Sequence, residues 1–124
     1  MFKFIEILFR RSASDQNIIG KFQVINLLSQ RVQFEIFCVE PLPADIKQKL
    51  TQDPAFTSLL AQMQIFEGSE QLLEEFKSTP ARQKDAPVML LCNTGKKSAK
   101  LAAKIAKLGY KNLYILNTGL QELI

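Results

Sequence analysis

Val88-Met89-Leu90-Leu91-Cys92-Asn93-Thr94-Gly95-Lys96-Lys97-Ser98 is the most informative stretch of this 124-residue chain. Its four leading apolar residues are typical of a central strand in a parallel sheet. Cys92 ends the strand, and a loop with one glycine and two lysines leads into a helical pattern. Backbone N–H groups, a helix N-terminus and two ammonium groups then surround one sulfur atom, and each of them stabilises a thiolate. The stretch therefore predicts a strand, an anion-binding loop and a helix around a nucleophilic cysteine.

A helix with one apolar and one basic face follows this loop. Its apolar positions recur every three or four residues, which is the period of one helical face. Ser98 is its predicted cap, and Gly109 ends it, since glycine readily takes the left-handed conformation at a helix end. A further apolar strand covers 113–116, and a short helix or turn covers 119–124. The apolar face consists of Leu101, Ala102, Ile105 and Leu108, and the basic face of Lys100, Lys104 and Lys107.

The sequence before this stretch also alternates between strand and helix patterns. The strand predicted at 33–39 puts Cys38 on one face together with Phe34 and Ile36, and prolines end it. This alternation predicts an α/β fold, a mostly parallel central sheet with helices on both faces, in one domain over 1–124. The other predicted elements are a strand at 1–9, a polar loop at 12–17, a short helix at 22–30, a helical stretch at 44–61 broken near Asp53-Pro54, a brief strand at 64–66, a helix capped by Ser69 and a polar connection at 79–85.

The composition excludes several kinds of site. The chain has no histidine, which rules out cysteine–histidine pairs and histidine-bound metals. Its two cysteines are too few for a disulfide framework or a zinc site, so we predict neither a metal nor a cofactor. A free thiol of this kind fits a reducing cytoplasm. The apolar start at 1–9 is too short and too charged for a signal peptide or a membrane span, and no membrane association is predicted.

The net charge of +4 is modest and much of it lies late in the chain. A local basic face suits small anions or an acidic partner, but lysines on a helix are also ordinary solvated surface. For the two loop lysines both interpretations stay open. The basic residues do not alternate with aromatic ones, which disfavours nucleic-acid binding. The lysines concerned are Lys96, Lys97, Lys100, Lys104, Lys107 and Lys111.

Two other functional loops of related pattern disagree with the spacing. A Walker A loop needs an earlier glycine where Leu90 stands, and Lys97 follows Lys96 where that loop needs serine or threonine. A cysteine phosphatase needs an arginine at the position of Ser98, where a guanidinium grips phosphate with two parallel hydrogen bonds. Lys97, one place earlier, supplies a point charge without that fork. Nucleotide binding is therefore disfavoured, and phosphatase activity is kept only as a third alternative.

Three segments between residues 90 and 119 together carry a more specific pattern. They read as a strand with the loop C-x-x-G-x-K-S, a helix with the segment G-Y-x-N, and a strand that ends in a glycine turn. This order resembles the C-terminal half of a single-domain rhodanese, whose loop is C-x-x-G-x-R-S. The matching positions are Cys92, Gly95 and Ser98 in the loop, Gly109, Tyr110 and Asn112 in the second segment, and Gly119 in the turn.

The resemblance implies a rhodanese-like α/β fold and sulfur transfer. In that family a cysteine accepts a sulfane sulfur from thiosulfate or another donor as a persulfide, then passes it to a thiophilic acceptor. Cys92 would be the nucleophile, and the loop N–H groups and lysines would stabilise the anion. The implied partners are a small anionic sulfur donor, a thiol acceptor and, under the binding alternative, a protein. The loop residues are Asn93, Thr94, Gly95, Lys96, Lys97 and Ser98.

Several positions depart from the family pattern. Lys97 replaces the loop arginine, and Cys38-Val39-Glu40 aligns with a D-x-R motif, so that both of its charged residues are replaced. The family's G-H-I-x-G-A segment has no counterpart between Pro41 and Glu67, and Thr118 replaces the first glycine of the turn. These differences indicate a divergent member. The alternative function is therefore a catalytically weak or inactive rhodanese-like module that binds an anion or a protein partner.

The cysteines and Ser98 also have purely structural interpretations. A free cysteine is commonly a small buried apolar residue, which applies to Cys92 and more strongly to Cys38. Ser98 would act as a helix cap, with or without a hydrogen bond to the sulfur or the substrate. The functional hypothesis for Cys38 is that it is a second thiol, which discharges the persulfide or forms a reversible disulfide with Cys92. A Cα–Cα distance well above about 7 Å would exclude that disulfide.

Overall fold

A computed structural model describes residues 10–11, 16–30, 34–79 and 84–124, and its strands form one sheet. The strands are β1 (Arg10–Arg11), β2 (Gln16–Ile19), β3 (Glu35–Cys38), β4 (Met63–Ile65), β5 (Val88–Leu91) and β6 (Leu113–Leu116). Their order across the sheet is β1-β2-β6-β5-β3-β4. All neighbouring pairs are parallel except β1 with β2, which is antiparallel. The predicted α/β fold with a mostly parallel sheet is confirmed.

Helices cover both faces of this sheet, as predicted. The α-helices are α1 (Lys21–Ser29), α2 (Ala44–Thr51), α3 (Pro54–Gln62), α4 (Ser69–Lys77) and α5 (Lys96–Ala106), and a 3₁₀ helix η1 (Gly119–Leu123) follows β6. Buried residues of α1, α2, α3 and η1 form one apolar cluster with the sheet, and those of α4 and α5 form a second. We call the two sides of the sheet the α1–α3 face and the α4–α5 face.

The alternation of side chains along the strands assigns each cysteine to a face. In β3, Ile36 and Cys38 belong to the α1–α3 face, and Phe37 belongs to the α4–α5 face, as the period-two pattern predicts. β5 is buried on both faces, which explains its continuous apolar run. Cys92 directly follows β5 and belongs to the α4–α5 face. The two thiols therefore lie on opposite faces of the sheet.

Both predicted serine caps are wrong. The helix after the Cys92 loop, α5, begins at Lys96, and its N-cap is Gly95, with φ 88°. A left-handed glycine turns the chain into the helix earlier than a serine cap would, so Ser98 falls within the first turn and is buried. Likewise α4 begins at Ser69 itself, with Gly68 as its N-cap.

The predicted polar loop at 12–17 is wrong at its end. Asn17 is a buried residue of β2, and its Nδ2 donates to the carbonyl oxygen of Leu113 at 3.2 Å. This hydrogen bond offsets the cost of burying the amide, which polarity alone had assigned to a loop. Residues 12–15 of that loop, the strand predicted at 1–9 and part of the connection at 79–85 lie outside the described residues.

The remaining element boundaries agree with local sequence signals. Asp53 caps α3 by accepting the N–H of Ala55 at 3.0 Å, and Pro54 takes the first helical position, which produces the predicted break. α5 ends at Ala106 with Lys107 as its C-cap, and the predicted stop at Gly109, with φ 103°, lies in the turn just beyond. Across the part of the chain that the structure describes, every helix is too short or too polar to cross a bilayer.

Candidate functional site

The sulfur of Cys92 lies at the carboxyl end of β5, at the entrance to α5. Its Sγ accepts the backbone N–H groups of Gly95 at 3.0 Å and Ser98 at 3.3 Å. The side chain is fully buried against the α4–α5 face. Two N–H donors at a helix N-terminus are therefore directed at one sulfur atom. The loop therefore closes around Cys92 with N–H donors on its sulfur, and its role in binding an anion stays a prediction.

Two glycines allow this loop to close. Gly95 has φ 88°, and a Cβ there would lie 2.7 Å from the carbonyl oxygen of Asn117. Gly119, in the turn after β6, has φ 70°, and a Cβ there would collide with the carbonyl oxygen of Cys92. That same oxygen accepts the N–H of Leu120 at 2.7 Å. The turn after β6 thus packs directly against the backbone of the cysteine loop, at a distance that only glycine permits.

Two buried oxygen atoms of the loop also have no hydrogen-bond partner in the part of the chain that the structure describes. Among the residues that the structure describes, nothing forms a hydrogen bond with the Oγ of Ser98 or the Oδ1 of Asn93. Ser98 is only 1% exposed, and its own N–H already points at the Cys92 sulfur. An unsatisfied buried polar group costs about 1–3 kcal/mol. A ligand bound in this loop would offset that cost by forming a hydrogen bond with the Ser98 hydroxyl.

Glu40 is a site residue that the sequence reasoning did not select. Its Oε2 accepts the N–H of Asn93 at 3.0 Å, and its Oε1 accepts a hydrogen bond from Nζ of Lys97 at 2.8 Å. The side chain of Glu40 is 15% exposed, and that of Lys97 is 59% exposed. One carboxylate therefore contacts the loop both just after Cys92 and at the first turn of α5.

The register of the central strands explains why Glu40 reaches the loop. β3 pairs with β5 in parallel so that Cys38 lies opposite Leu91, and Val39 N–H donates to Leu91 O at 2.7 Å. The residues after both strands consequently emerge side by side at one edge of the sheet. The sequence did carry a signal for Glu40, because it is an acidic residue directly after a predicted strand. In parallel sheets, ligands bind at the edge formed by the carboxyl ends of the strands.

Glu40 and Lys97 are both charged at neutral pH. Burial on its own raises the pKa of Glu40, but the N–H of Asn93 and the ammonium of Lys97 outweigh it, and the net pKa lies below the ordinary value. The hydrogen bond to Glu40, followed by the carboxylate charge, raises the pKa of Lys97. The cation at the position of the family's arginine is thus already paired within the chain.

The other predicted loop residues differ in exposure. Thr94 and Lys96 are exposed, Asn93 is partly buried, and Gly95 is buried under the turn after β6. Lys97 also borders a shallow groove between α4 and α5. The groove is lined by Ser69, Glu70 and Leu73 of α4 and by Lys97, Lys100, Leu101 and Lys104 of α5. The basic face of α5 therefore continues directly from the cysteine loop.

A sequence model of the rhodanese-like domain matches residues 61–124. The match contains β5, the cysteine loop, α5, β6 and the turn that packs on the loop. This chain belongs to the rhodanese-like domain family. The resemblance seen in the sequence is thereby confirmed. No match was found among curated proteins or among solved structures.

Cys38 occupies a different environment in this rhodanese-like domain. It is buried in the α1–α3 face, and its Sγ donates to the carbonyl oxygen of Glu40 at 3.0 Å. Burial raises the pKa of the Cys38 thiol; a hydrogen bond with the backbone of Glu40 partly offsets this effect, and the Glu40 carboxylate adds to it. Both cysteines are free. The role of Cys38 as a second reactive thiol stays a prediction, and its position on the opposite face from Cys92 does not favour it.

The described residues contain no group of three cysteine, aspartate or glutamate side chains that could hold a metal ion. The described site offers one sulfur, the N–H donors around it, and the charged pair at the mouth of the loop. These groups suit a step in which negative charge appears on sulfur.

Proposed function

We propose that this protein is a sulfurtransferase or persulfide carrier that accepts sulfane sulfur on Cys92. The observation that carries the proposal is the pair of N–H donors, from Gly95 at 3.0 Å and Ser98 at 3.3 Å, on the Cys92 sulfur. They stabilise the thiolate that attacks the donor and the anion that leaves when sulfur moves on. Membership of the rhodanese-like family supports the same chemistry.

The transfer consists of two displacements at sulfur. The Cys92 thiolate attacks the outer, sulfane sulfur of the donor, and a new S–S bond forms as the donor's own bond to that sulfur breaks. The donor remnant leaves with the electron pair, as sulfite from thiosulfate or as a thiolate from an organic persulfide. An acceptor thiolate or cyanide then attacks the outer sulfur of the persulfide, and Cys92 leaves as a thiolate. No external oxidant or reductant is consumed.

The loop offers further contacts to the transferred sulfur. A persulfide adds a second sulfur beyond Sγ, and the buried Ser98 hydroxyl has an unused hydrogen bond to donate. The exposed Lys96 supplies positive charge nearby. A free thiol fits a reducing compartment, so the proposal includes a cytoplasmic location.

A non-catalytic rhodanese-like module is the second candidate. The observation that favours it is the ion pair between Glu40 and Lys97, because it occupies the cation that would otherwise hold an anionic donor. In this case the basic groove between α4 and α5 would bind an acidic partner, and Cys92 would be a buried core residue.

Intact-mass measurement separates the two candidates. The reduced protein is incubated with thiosulfate and, separately, with an organic persulfide, and then treated with cyanide. We expect a gain of one sulfur atom with at least one donor, its removal by cyanide, and no gain in Cys92→Ser. Cys38→Ser is the matched control, because it removes the other buried free thiol, and it should load normally. Absence of any gain with every donor would refute sulfur transfer and favour the binding module.

A further inference from the structure

The carboxylate of Glu40 is fixed across the mouth of the cysteine loop. One oxygen holds the N–H of Asn93, the residue directly after Cys92, at 3.0 Å. The other holds the ammonium of Lys97, the residue directly before Ser98, at 2.8 Å. An N–H and a cation are the groups with which a loop of this kind would bind the anionic part of a donor. In this chain Glu40 occupies both of them.

This arrangement changes the charge that an incoming donor meets. Lys97 stands at the family's arginine position, but its charge is balanced by Glu40. Because Glu40 and Lys97 neutralise each other, a donor with a negative group beside its sulfane sulfur would approach the negative charge of the Cys92 thiolate without a free cation at Lys97 to offset it. Like charges a few ångströms apart oppose each other strongly at a partly buried site. A donor that is neutral or cationic beside its sulfur does not meet this repulsion from the thiolate.

We infer that the sulfur donor of this protein is an organic persulfide that is uncharged or cationic beside its sulfur, and that Glu40 sets this preference by excluding thiosulfate-type anions. The inference rests on the proposed sulfur transfer at Cys92. It replaces the small anionic donor expected from the sequence with one of opposite or zero charge.

The step is balanced for such a donor. The Cys92 thiolate attacks the terminal sulfur of R–S–SH, the S–S bond of the donor breaks, and R–S⁻ leaves with the electron pair. The terminal sulfur and its proton stay on Cys92 as a persulfide, while the leaving thiolate takes a proton from water. A cationic group on R would lie against the partly exposed carboxylate of Glu40 during the attack.

A purely structural role for Glu40 predicts a different result. Glu40 ties the end of β3 to the loop through Asn93, and loosening that contact would slow the reaction with every donor by the same factor. A role in specificity changes the ratio of rates between donors of opposite charge. The ratio is therefore the decisive measurement.

The experiment uses three donors and measures how fast each loads sulfur onto Cys92 by intact mass. The matched pair is 2-aminoethyl persulfide, which is cationic, and 2-carboxyethyl persulfide, which is anionic, and thiosulfate is the third. We expect the wild-type protein to prefer the cationic donor. Glu40→Gln keeps an oxygen for Asn93 but removes the charge, and it should lower the cation-to-anion rate ratio by about tenfold, the size of effect that one nearby charge produces. Reaction with thiosulfate should become faster.

Two further variants control this result. Glu74→Gln removes the same charge from a glutamate that pairs with Lys77 on the surface of α4, at 3.8 Å, and it should leave the ratio unchanged. Lys97→Gln leaves the Glu40 carboxylate without its cation and should raise the ratio. Opposite shifts in Glu40→Gln and Lys97→Gln are not expected from a loss of structure, which would slow all donors in both variants.

Each outcome decides between the claims. If Cys92 loads sulfur but the ratio is the same in wild type and Glu40→Gln, or wild type prefers thiosulfate, the inference about the donor is wrong and the proposed function stands. If no donor loads Cys92 in any variant, both are wrong. A preference for the cationic donor that falls in Glu40→Gln and rises in Lys97→Gln supports both.

Discussion

For the single residue Ser98, the buried hydroxyl allows a structural role to be distinguished from a functional role by experiment. Ser98 is 1% exposed, and its buried hydroxyl lacks a hydrogen-bond partner among the described residues, so the hydroxyl contributes a cost rather than a stabilising bond. Ser98 lies in the first turn of α5, and its own N–H donates to the Cys92 sulfur. Its hydroxyl would therefore be placed to donate a hydrogen bond to the outer sulfur of a persulfide on Cys92.

We therefore predict that Ser98→Ala leaves the unloaded protein as stable as wild type or slightly more stable. Removal of an unsatisfied hydroxyl and the higher helix propensity of alanine act in the same direction. The persulfide form should decay about fivefold faster, because loss of one hydrogen bond to a charged or polar sulfur corresponds to about 1 kcal/mol. Thermal unfolding measures the first effect, and a time course of intact mass measures the second.

Ser78→Ala provides the control for this prediction. Ser78 is exposed after α4, and its Oγ donates to the carbonyl oxygen of Glu75 at 3.3 Å, away from the loop. Its substitution should leave the persulfide lifetime unchanged. A large loss of stability in Ser98→Ala, with no change in persulfide lifetime, would assign Ser98 to structure alone.

At the scale of elements, the turn between β6 and η1 holds the cysteine loop in place. Gly119 has φ 70°, and any Cβ there would meet backbone atoms of Cys92, Asn93 and Gly95. Backbone atoms cannot move aside as a flexible side chain can. The contact between the end of β6 and the loop is therefore a condition for the geometry around the sulfur.

We predict that Gly119→Ala destabilises the protein by about 2 kcal/mol, from a left-handed conformation that alanine resists and from the collision with the loop. The loading rate of Cys92 should fall as well, since the N–H groups of Gly95 and Ser98 would shift from the sulfur. Urea unfolding and intact mass measure the two effects.

Gly68→Ala is the matched control, because Gly68 has an extended backbone and a Cβ there would meet no atom within 4 Å. Its effect on stability should stay within about 0.5 kcal/mol. Equal effects of the two substitutions would mean that the turn after β6 does not hold the loop.

The elements also show which features a sequence can predict. The apolar run of β5 and the two-faced pattern of α5 are repeated local signals, and both elements appear where the pattern placed them. The start of α5 depends instead on one dihedral angle of Gly95, which outweighed the capping preference of Ser98. Asn17 lies in a strand that pairs with β6, and its side-chain hydrogen bond to Leu113 joins residues far apart in the sequence, for which there is no local signal.

At the scale of the whole molecule, the order of the strands creates the charged pair at the site. β3 lies next to β5 although α2, α3, β4 and α4 separate them along the chain, and only this neighbourhood brings Glu40 to Asn93 and Lys97. The sequence predicted a site around Cys92 from contiguous residues. It did not identify Glu40, because the pairing of two distant strands is a property of the folded sheet.

The same pair links the stability of the whole molecule to pH. The pKa of Glu40 in the folded protein lies below its ordinary value, so its ionised form contributes stability that is fully present above the ordinary glutamate pKa of about 4.3. That contribution is lost as the pH falls through the lower, folded pKa. We therefore expect the difference in unfolding free energy between wild type and Glu40→Gln, measured with urea, to favour wild type at pH 7.

That difference should shrink steadily below about pH 4.3, where the carboxylate takes up its proton and wild type comes to resemble the neutral glutamine variant. Glu74→Gln removes an exposed carboxylate that lies 3.8 Å from Lys77, and its difference from wild type should be small throughout, since exposed pairs contribute little. A difference for Glu40→Gln that is independent of pH would mean that the carboxylate charge does not hold the mouth of the loop together. The donor preference inferred from that charge would then lose its structural basis, whereas the cradle of N–H groups around Cys92 would be unaffected.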